Sequence, residues 1–423
     1  MTWFIIIALM FALFALNMRI YLAMFAAVVA YFVFFSSVPL QISVQRIIAP
    51  TQNPSLLAIP FFVLLGTLLG TTGIAGRLMK LADLMVGRLT GGLGHTNVML
   101  STLMGGISAS NLADAAMMCR ILVPEMRRQG YSAGAAAAIT ACGSLITPII
   151  PPGIALIIYA LVADVSIGAM FTAGIIPGLL CAALLITAVW INARRKGLKP
   201  SRESWPTAAE TKTTLIGAWP AIFLVLVIVG GIRLSIFTPT EAGAVATVFT
   251  LAIGFLIYRE MKLSDVGRAF AETGRQTASI LLVIMTSSAL AWIFSVERAG
   301  VAMAEIITSL TTDPWVFLIA VNVLLLVLGM FIEGTALMII LVPLLKPVVM
   351  QLGIDPVHFG IVMILNLSIG TLTPPVGTVL LMVCNLTGAK LVEFLRDGWI
   401  FLATLLVALL LVTFVPAFSL ALI

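Results

Sequence analysis

The chain has 423 residues, 61% hydrophobic and only 9% charged, with 23 Lys and Arg against 17 Asp and Glu and a formal net charge of +6. Its mean hydropathy is +1.18. Soluble domains carry roughly a quarter of charged residues, so a soluble globular fold is excluded and an all-α polytopic membrane protein is expected, divided into spans of about 20 residues. The positive balance is no nucleic-acid signal, because the basic residues fall in short loops between apolar runs, where they set topology.

The first apolar run, Met1 to Leu16, has no basic residue before it; the first cation is Arg19. That pattern is unlike a cleaved signal peptide and more like a first span left in place. The first half reads as scaffold spans within 1–75 (near 1–18, 19–37 and 54–75) and an interfacial helix at 76–91. A hairpin at 96–130, a broken span at 133–163 and a closing span at 168–193 follow. A polar linker, 194–212, joins this to a second half, 213–423. There the scaffold spans fill 214–297 (near 214–232, 238–258 and 277–297), with an interfacial helix at 298–312. The hairpin at 315–352, the broken span at 357–388 and the closing span at 398–420 complete the copy. A third interfacial helix is expected at 260–275. Each half has the same order, about ten transmembrane helices and two re-entrant hairpins in all. With five crossings per half the second copy must enter the membrane upside down, so two inverted-topology repeats are expected.

Charge placement is an independent check. If Arg19 is cytoplasmic, alternation puts 18 of the 23 Lys and Arg inside; only Arg46, Arg233, Arg298 and Lys346 fall outside, and Arg120 lies within the first hairpin. Such a bias fits the positive-inside rule and sends both termini outside. The four cysteines, Cys119, Cys142, Cys181 and Cys384, lie in apolar segments without a CxxC pair, and read as small buried hydrophobes.

The breaks carry the functional signal. Ile121-Leu122-Val123-Pro124 precedes Ser144-Leu145-Ile146-Thr147-Pro148-Ile149-Ile150-Pro151-Pro152-Gly153, and Ile340-Leu341-Val342-Pro343 precedes Ser368-Ile369-Gly370-Thr371-Leu372-Thr373-Pro374-Pro375-Val376-Gly377. A proline pair removes two backbone donors and clashes with the preceding turn, so each helix must stop there. Unpaired backbone at membrane depth survives only when buried in protein or lining a polar cavity. Interrupted spans at matching places in two halves point to a transporter's binding site.

The hairpin tips add to this. Gly105-Gly106-Ile107-Ser108-Ala109-Ser110-Asn111 interrupts the first hairpin, and Gly329 with Glu333-Gly334-Thr335 interrupts the second. A helix end inside the membrane attracts anions at its N-terminus and cations at its C-terminal carbonyls. Neutral oxygens suit a weakly held sodium ion, whereas dense carboxylates suit Ca²⁺. Two cation sites are therefore expected. One joins Ser108 and Ser110 with carbonyls around Gly143, Ile146 and Pro148; the other joins Thr335 with Gly370 and Thr373. Candidates for substrate contact are Asn111, Ser144, Thr147, Pro151, Pro152, Glu333, Gly334, Thr371, Pro374 and Pro375. Small residues also let membrane helices pack closely, but their coincidence with both breaks favours ligand contact. Asp114, with Arg120 six residues on, is a candidate ion pair or gate, since an intramembrane charge is functional by default. Glu241 in Thr238-Pro239-Thr240-Glu241 reads as part of a helix cap.

Enzyme readings fail on the residues. Gly106-Ile107-Ser108-Ala109-Ser110 resembles a nucleophile elbow without its last glycine, and His95 and His358 are the only histidines. There is neither an HExxH motif nor a P-loop.

Several stretches carry a resemblance. Ile150-Pro151-Pro152-Gly153, Ile158-Tyr159, Ser166-Ile167-Gly168, Ala173-Gly174-Ile175-Ile176-Pro177-Gly178, Phe237-Thr238-Pro239-Thr240-Glu241-Ala242 and Leu372-Thr373-Pro374-Pro375-Val376-Gly377 stand in the order found in one family. Over essentially its whole length the chain resembles the large membrane subunit of tripartite ATP-independent periplasmic (TRAP) transporters, of the ion-transporter superfamily. The resemblance implies a bacterial inner-membrane importer driven by Na⁺, not an enzyme. It would move hairpins and broken helices as an elevator-type transport domain past a fixed scaffold domain. It further implies two partners: a small four-helix membrane subunit, and a periplasmic substrate-binding protein that delivers an organic anion, usually a carboxylate. The family's sodium positions fall on the residues already named. A stand-alone sodium–dicarboxylate symporter of the same superfamily is the alternative.

Overall fold

A computed structural model describes residues 2–16, 18–105 and 110–423. Ser108, a candidate cation ligand, lies outside the described residues. Every regular element among those described is helical.

The first half holds α1 (Thr2–Ala15), α2 (Ile20–Phe34), α3 (Gln41–Ile48), α4 (Ala58–Leu69), α5 (Ile74–Val86), α6 (Gly92–Gly105), α7 (Asn111–Ile121), α8 (Val123–Arg128), α9 (Ala133–Ser144), α10 (Ile154–Ala163) and α11 (Ile167–Lys196). The second holds α12 (Ala208–Arg233), α13 (Pro239–Ala252), α14 (Leu263–Val296), α15 (Ala299–Leu310), α16 (Pro314–Gly329), α17 (Gly334–Gln351), α18 (Pro356–Gly370), α19 (Thr378–Thr387), α20 (Leu391–Phe414) and α21 (Ala417–Leu420).

Local chemistry sets the helix starts. Ser132, Ser166 and Thr207 each accept a first-turn N–H at the heads of α9, α11 and α12. Three helices open on a cap followed by proline: Thr238-Pro239, Asp313-Pro314 and Asp355-Pro356. Proline fits there because its missing N–H would have had no helical partner. Glu241 closes a capping box on Thr238, its carboxylate accepting from the Thr238 N–H at 2.8 Å; this is the structural role expected for it.

Among the described residues six helices are long and apolar enough to cross a bilayer, or seven if the pair Gln41–Gln52 and Pro54–Leu69, bent by 62°, counts as one span. The remaining apolar helices have 10–17 residues. At 1.5 Å per residue, 15 residues reach about 22 Å, short of a hydrocarbon core of about 30 Å. The short helices therefore complete a crossing in pairs or by ending within protein. One expectation is corrected. The stretch 260–275 is not a separate interfacial helix: α14 runs unbroken for 34 residues from Leu263 to Val296, through Gly267 and Gly274. The bend of 62° falls at Asn53, just ahead of the expected span at 54–75, which opens on Pro54 and runs helically to Leu69.

Packing separates two groups of helices. In one, α4 lies against α13 and α14, α2 against α1 and α14, and α12 against α13. The other crosses the halves: α7 packs on α19, α10 on α17, α9 on α20 and α11 on α18. At its centre is α9, Ala-Gly-Ala-Ala-Ala-Ala-Ile-Thr-Ala-Cys-Gly-Ser, buried from Gly134 to Ser144. Its small side chains let α20 come close: a methyl group at Gly134 would stand 2.2 Å from the Glu393 carbonyl oxygen, and one at Gly398 2.5 Å from the Ala138 methyl. Small residues are what membrane helices use for such contacts. The Ser132 hydroxyl also donates to Asp397 on α20.

Gly134→Ala should therefore destabilise the protein by about 1–3 kcal/mol, as overpacking does. Gly217→Ala on α12, where a methyl group meets nothing within 4 Å, should be neutral or slightly stabilising. Thermal unfolding of the two variants in detergent checks the contrast.

Candidate functional site

Both interrupted spans stop where the proline pairs stand. Between α9 and α10 the chain turns through 145–153, with the Ile146 N–H on the Gly143 carbonyl (3.0 Å), Thr147 on Ser144 (3.2 Å) and Ile149 and Ile150 both on Ile146 (3.1 Å). Between α18 and α19, Thr373 bonds Gly370 (3.0 Å), and the Thr371 carbonyl accepts from Val379 (3.1 Å) and Leu380 (3.3 Å). Each proline pair, Pro151–Pro152 and Pro374–Pro375, contains a cis peptide bond.

The hairpins end against these breaks. Gly105 closes α6 so near Ile150 that a methyl group there would sit 2.8 Å from the Ile150 Cβ. In the second half Gly370 crosses Gly329: a methyl group on Gly370 would lie 2.8 Å from the Gly329 Cα. The Gly377 N–H then donates to the Met330 carbonyl at 3.1 Å, fastening the second break to the second hairpin tip.

The two tips share one space. A partly enclosed cavity of about 740 Å³ is lined by Ser110 and Asn111 from the first tip and by Pro148 from the first break. Glu333 and Thr335 from the second tip line it too, with Arg19, Tyr21, Arg275, Gln276 and Ser279 from the opposing helices. A smaller pocket of about 60 Å³ continues inward between Asn111 and Pro148 on one side and Glu333, Gly334, Thr335, Ser368 and Thr371 on the other. The Asn111 amide reaches the Thr371 hydroxyl at 3.5 Å, one half of the chain touching the other. Cationic, amide and hydroxyl groups facing an apolar wall are the makings of a site for a small organic anion.

The expected residues divide accordingly. Ser110, Asn111, Pro148, Glu333, Gly334, Thr335 and Thr371 line one or both spaces. In the first cation set the Gly143 carbonyl accepts from Leu145 and Ile146 and the Ile146 carbonyl from Ile149 and Ile150, so an ion at these oxygens would share them with the turn bonds. In the second set Thr335 meets Thr371 rather than Thr373 or Gly370. The Thr373 hydroxyl is turned back onto the Ile369 carbonyl at 2.9 Å, with its oxygen lone pairs still available.

Other expectations are corrected. Pro151, Pro152, Pro374 and Pro375 line neither space; the first two are buried in packing and Pro375 is exposed. They make the breaks. Ser144 is buried and donates to Ala141 at 2.8 Å, and Thr147 is buried as well. Glu333 accepts from the N–H groups of Thr335 and Ala336, both at 3.0 Å. The anion seat at the head of α17 is thus filled by the chain's own carboxylate. Asp114 and Arg120 form no pair. Six residues along a helix is about 240° around it, so Arg120 is exposed while Asp114 is 1% exposed. Asp114 instead accepts from the Ser101 hydroxyl of α6 at 2.8 Å.

Arg19 and Arg275 are the site residues that the sequence reading passed over. The signal for Arg275 was present: Arg275, Gln276 and Ser279 form a polar stripe at helical spacing where α14 enters its apolar run.

Comparison with known proteins gives the family. Residues 7–418 match the family described as the tripartite ATP-independent periplasmic transporter, DctM component. The chain is 37% identical over 381 residues to the C4-dicarboxylate TRAP transporter large permease protein DctM of Pseudomonas aeruginosa, covering 89% of this chain and 88% of the relative. It is 37% identical over 393 residues to the sialic acid TRAP transporter large permease protein SiaM of Vibrio cholerae, covering 93% and 92%. Against the 2,3-diketo-L-gulonate TRAP transporter large permease protein YiaN of Escherichia coli it is 34% identical over 376 residues, covering 89% and 88%. The crystal structure of the Alcanivorax borkumensis YdaH transporter has the same fold, with a TM-score of 0.63 at 15% identity over 91% of each chain. Nearly the whole chain is matched in sequence and in fold, and it belongs to the DctM component family, the large membrane subunits of TRAP transporters.

Proposed function

We propose that this subunit imports an organic anion across the bacterial inner membrane, coupled to Na⁺, after a periplasmic binding protein has delivered it. The observation that carries the reading is the single cavity shared by both hairpin tips and faced by Arg19 and Arg275. Relatives named for C4-dicarboxylates, sialic acid and 2,3-diketo-L-gulonate make a carboxylate the class of substrate. The anion sits between Arg275 and the Ser110–Asn111 tip, and Na⁺ occupies the neutral oxygens of Ser108, Ser110, Gly143, Ile146 and Pro148, and of Thr335, Gly370 and Thr373 with Thr371 in reserve.

The motion follows from the packing. Hairpins and broken spans interlock across the two halves, while α2, α4, α12, α13 and α14 form the other group. We read the first group as the moving domain of an elevator and the second as its scaffold, the two halves being inverted repeats. Helix length alone would let α17, with 18 residues, span the membrane; its seat against α10 and the second break favours a re-entrant hairpin. The cavity opens between basic residues that charge bias assigns to the cytoplasm, so the conformation is inward-facing and both termini are periplasmic. A small four-helix membrane subunit completes the scaffold.

Reconstitution in liposomes tests this. With the small subunit and the binding protein present, uptake should require an inward Na⁺ gradient; uptake by this chain alone would instead indicate a stand-alone symporter. Arg275→Ala removes a charged hydrogen-bond partner worth about 1.5–3 kcal/mol, so uptake at low substrate should fall by about 10- to 100-fold, with Arg275→Lys partly restoring it. Ser110→Ala combined with Thr373→Ala should raise the Na⁺ concentration for half-maximal uptake; an unchanged Na⁺ dependence would remove those oxygens from the coupling sites.

A further inference from the structure

A second group of oxygens lies deeper, away from the shared cavity. Asn97 and Ser101 stand one turn apart on the same face of α6, Asp114 comes from the first turn of α7, and Thr147 from the first break. All four are 0–1% exposed. The Ser101 hydroxyl donates to Asp114 Oδ2 at 2.8 Å, and the Asn97 amide nitrogen donates to Thr140 at 2.8 Å. That turns Asn97 Oδ1 toward the point above Gly143, 3.5 Å from where a methyl group there would be, the same distance as the Ser101 hydroxyl. The Thr147 hydroxyl stands beside the Asp114 carboxylate and interacts with it.

Asn97 Oδ1 has no hydrogen-bond partner, and Asp114 Oδ1 has none besides the adjacent Thr147 hydroxyl. Buried polar atoms are almost always paired, and an orphan calls for an ion, a water or a strain. Buried charges are paired or bound to a metal, yet among the described residues no Lys, Arg or His lies within ion-pair distance of Asp114. The head of α7 favours a nearby anion, but it does nothing for the Asn97 oxygen, which can only accept.

We propose that Asn97, Ser101, Asp114 and Thr147 form a buried site for one dehydrated monovalent cation, Na⁺, separate from the cation positions at the hairpin tips. One carboxylate balances one positive charge and leaves the site neutral. Two acceptor-only oxygens and two hydroxyl oxygens supply the shell. Ca²⁺ would take more ligands and more carboxylate, and among the described residues no cluster of three His, Cys, Asp or Glu exists to hold another metal. Occupancy clamps α7, the outer arm of the first hairpin, onto α6 and the first break, so the hairpin closes on a cation that lies outside the substrate cavity.

The full chain in detergent tests this without transport, so the transport reading can stand if the site fails. Thermal unfolding is followed against Na⁺ at constant ionic strength, with choline and K⁺ as controls. The double variant Ser110→Ala, Thr373→Ala should keep a Na⁺-dependent rise in midpoint. Adding the near-isosteric Asp114→Asn should weaken that response by about tenfold or more in Na⁺ concentration. A triple variant that responds to Na⁺ like the double variant would overturn the site. So would a wild-type midpoint that follows pH but not Na⁺, the sign of a protonated Asp114, or one that follows neither, as for a bound water. If Asp114→Asn does not fold, Asn97→Asp serves instead: a second carboxylate should create a stabilisation by Ca²⁺ that the wild type lacks, and no Ca²⁺ response would count as refutation.

Discussion

The constraint on which the molecule depends is that backbone broken by proline inside a low-dielectric medium must still find partners for its N–H and C=O groups. Both breaks answer it within the turn, and the second answers it beyond the turn as well. Within the turn, short-range bonds such as Ile146 to Gly143 and Thr373 to Gly370 recover part of the lost helix ladder. Beyond the turn, the Gly377 N–H goes to the Met330 carbonyl of a hairpin tip, and Asn111 reaches Thr371 across the halves. The polar groups that the prolines release are therefore what bring two hairpins and two broken spans to one place. A site results because the hydroxyl and amide groups left over face the space between them.

Glycine makes this convergence possible at two crossings, Gly105 against Ile150 and Gly329 against Gly370. Alanine and glycine along α9 do the same on the opposite side, where α20 seats. The shared cavity is thus walled on one side by elements tightly fixed to each other. On the other side it is faced by Arg19 and Arg275, which come from helices of the other packing group. An anion bound there would touch both groups at once.

Much of this was legible in the sequence because prolines and glycines act locally. Pro151-Pro152 and Pro374-Pro375 fix where α9 and α18 must stop, and Thr238-Pro239 fixes where α13 starts. What failed depended on neighbours distant in the chain. Asp114 was matched with Arg120 by proximity in sequence, although helical geometry puts them on different faces; its true partner, Ser101, lies across the hairpin. Arg275 was placed on a surface helix because Gly267, Gly274 and several charges suggested an interruption, but tertiary packing carries α14 through them. Glu333 looked like a membrane charge in search of a ligand; two N–H groups two and three residues on already hold it.

The exchange of partners between halves bears on how the chain is made. The outer arm α7 rests on α19, and α10 rests on α17, so each early helix waits for one near the end of translation. Until then Asn111, Thr147 and the unwound residues around Pro148 have no lasting cover on that side. The growing chain therefore carries these polar membrane stretches without their late partners until its final third has been made.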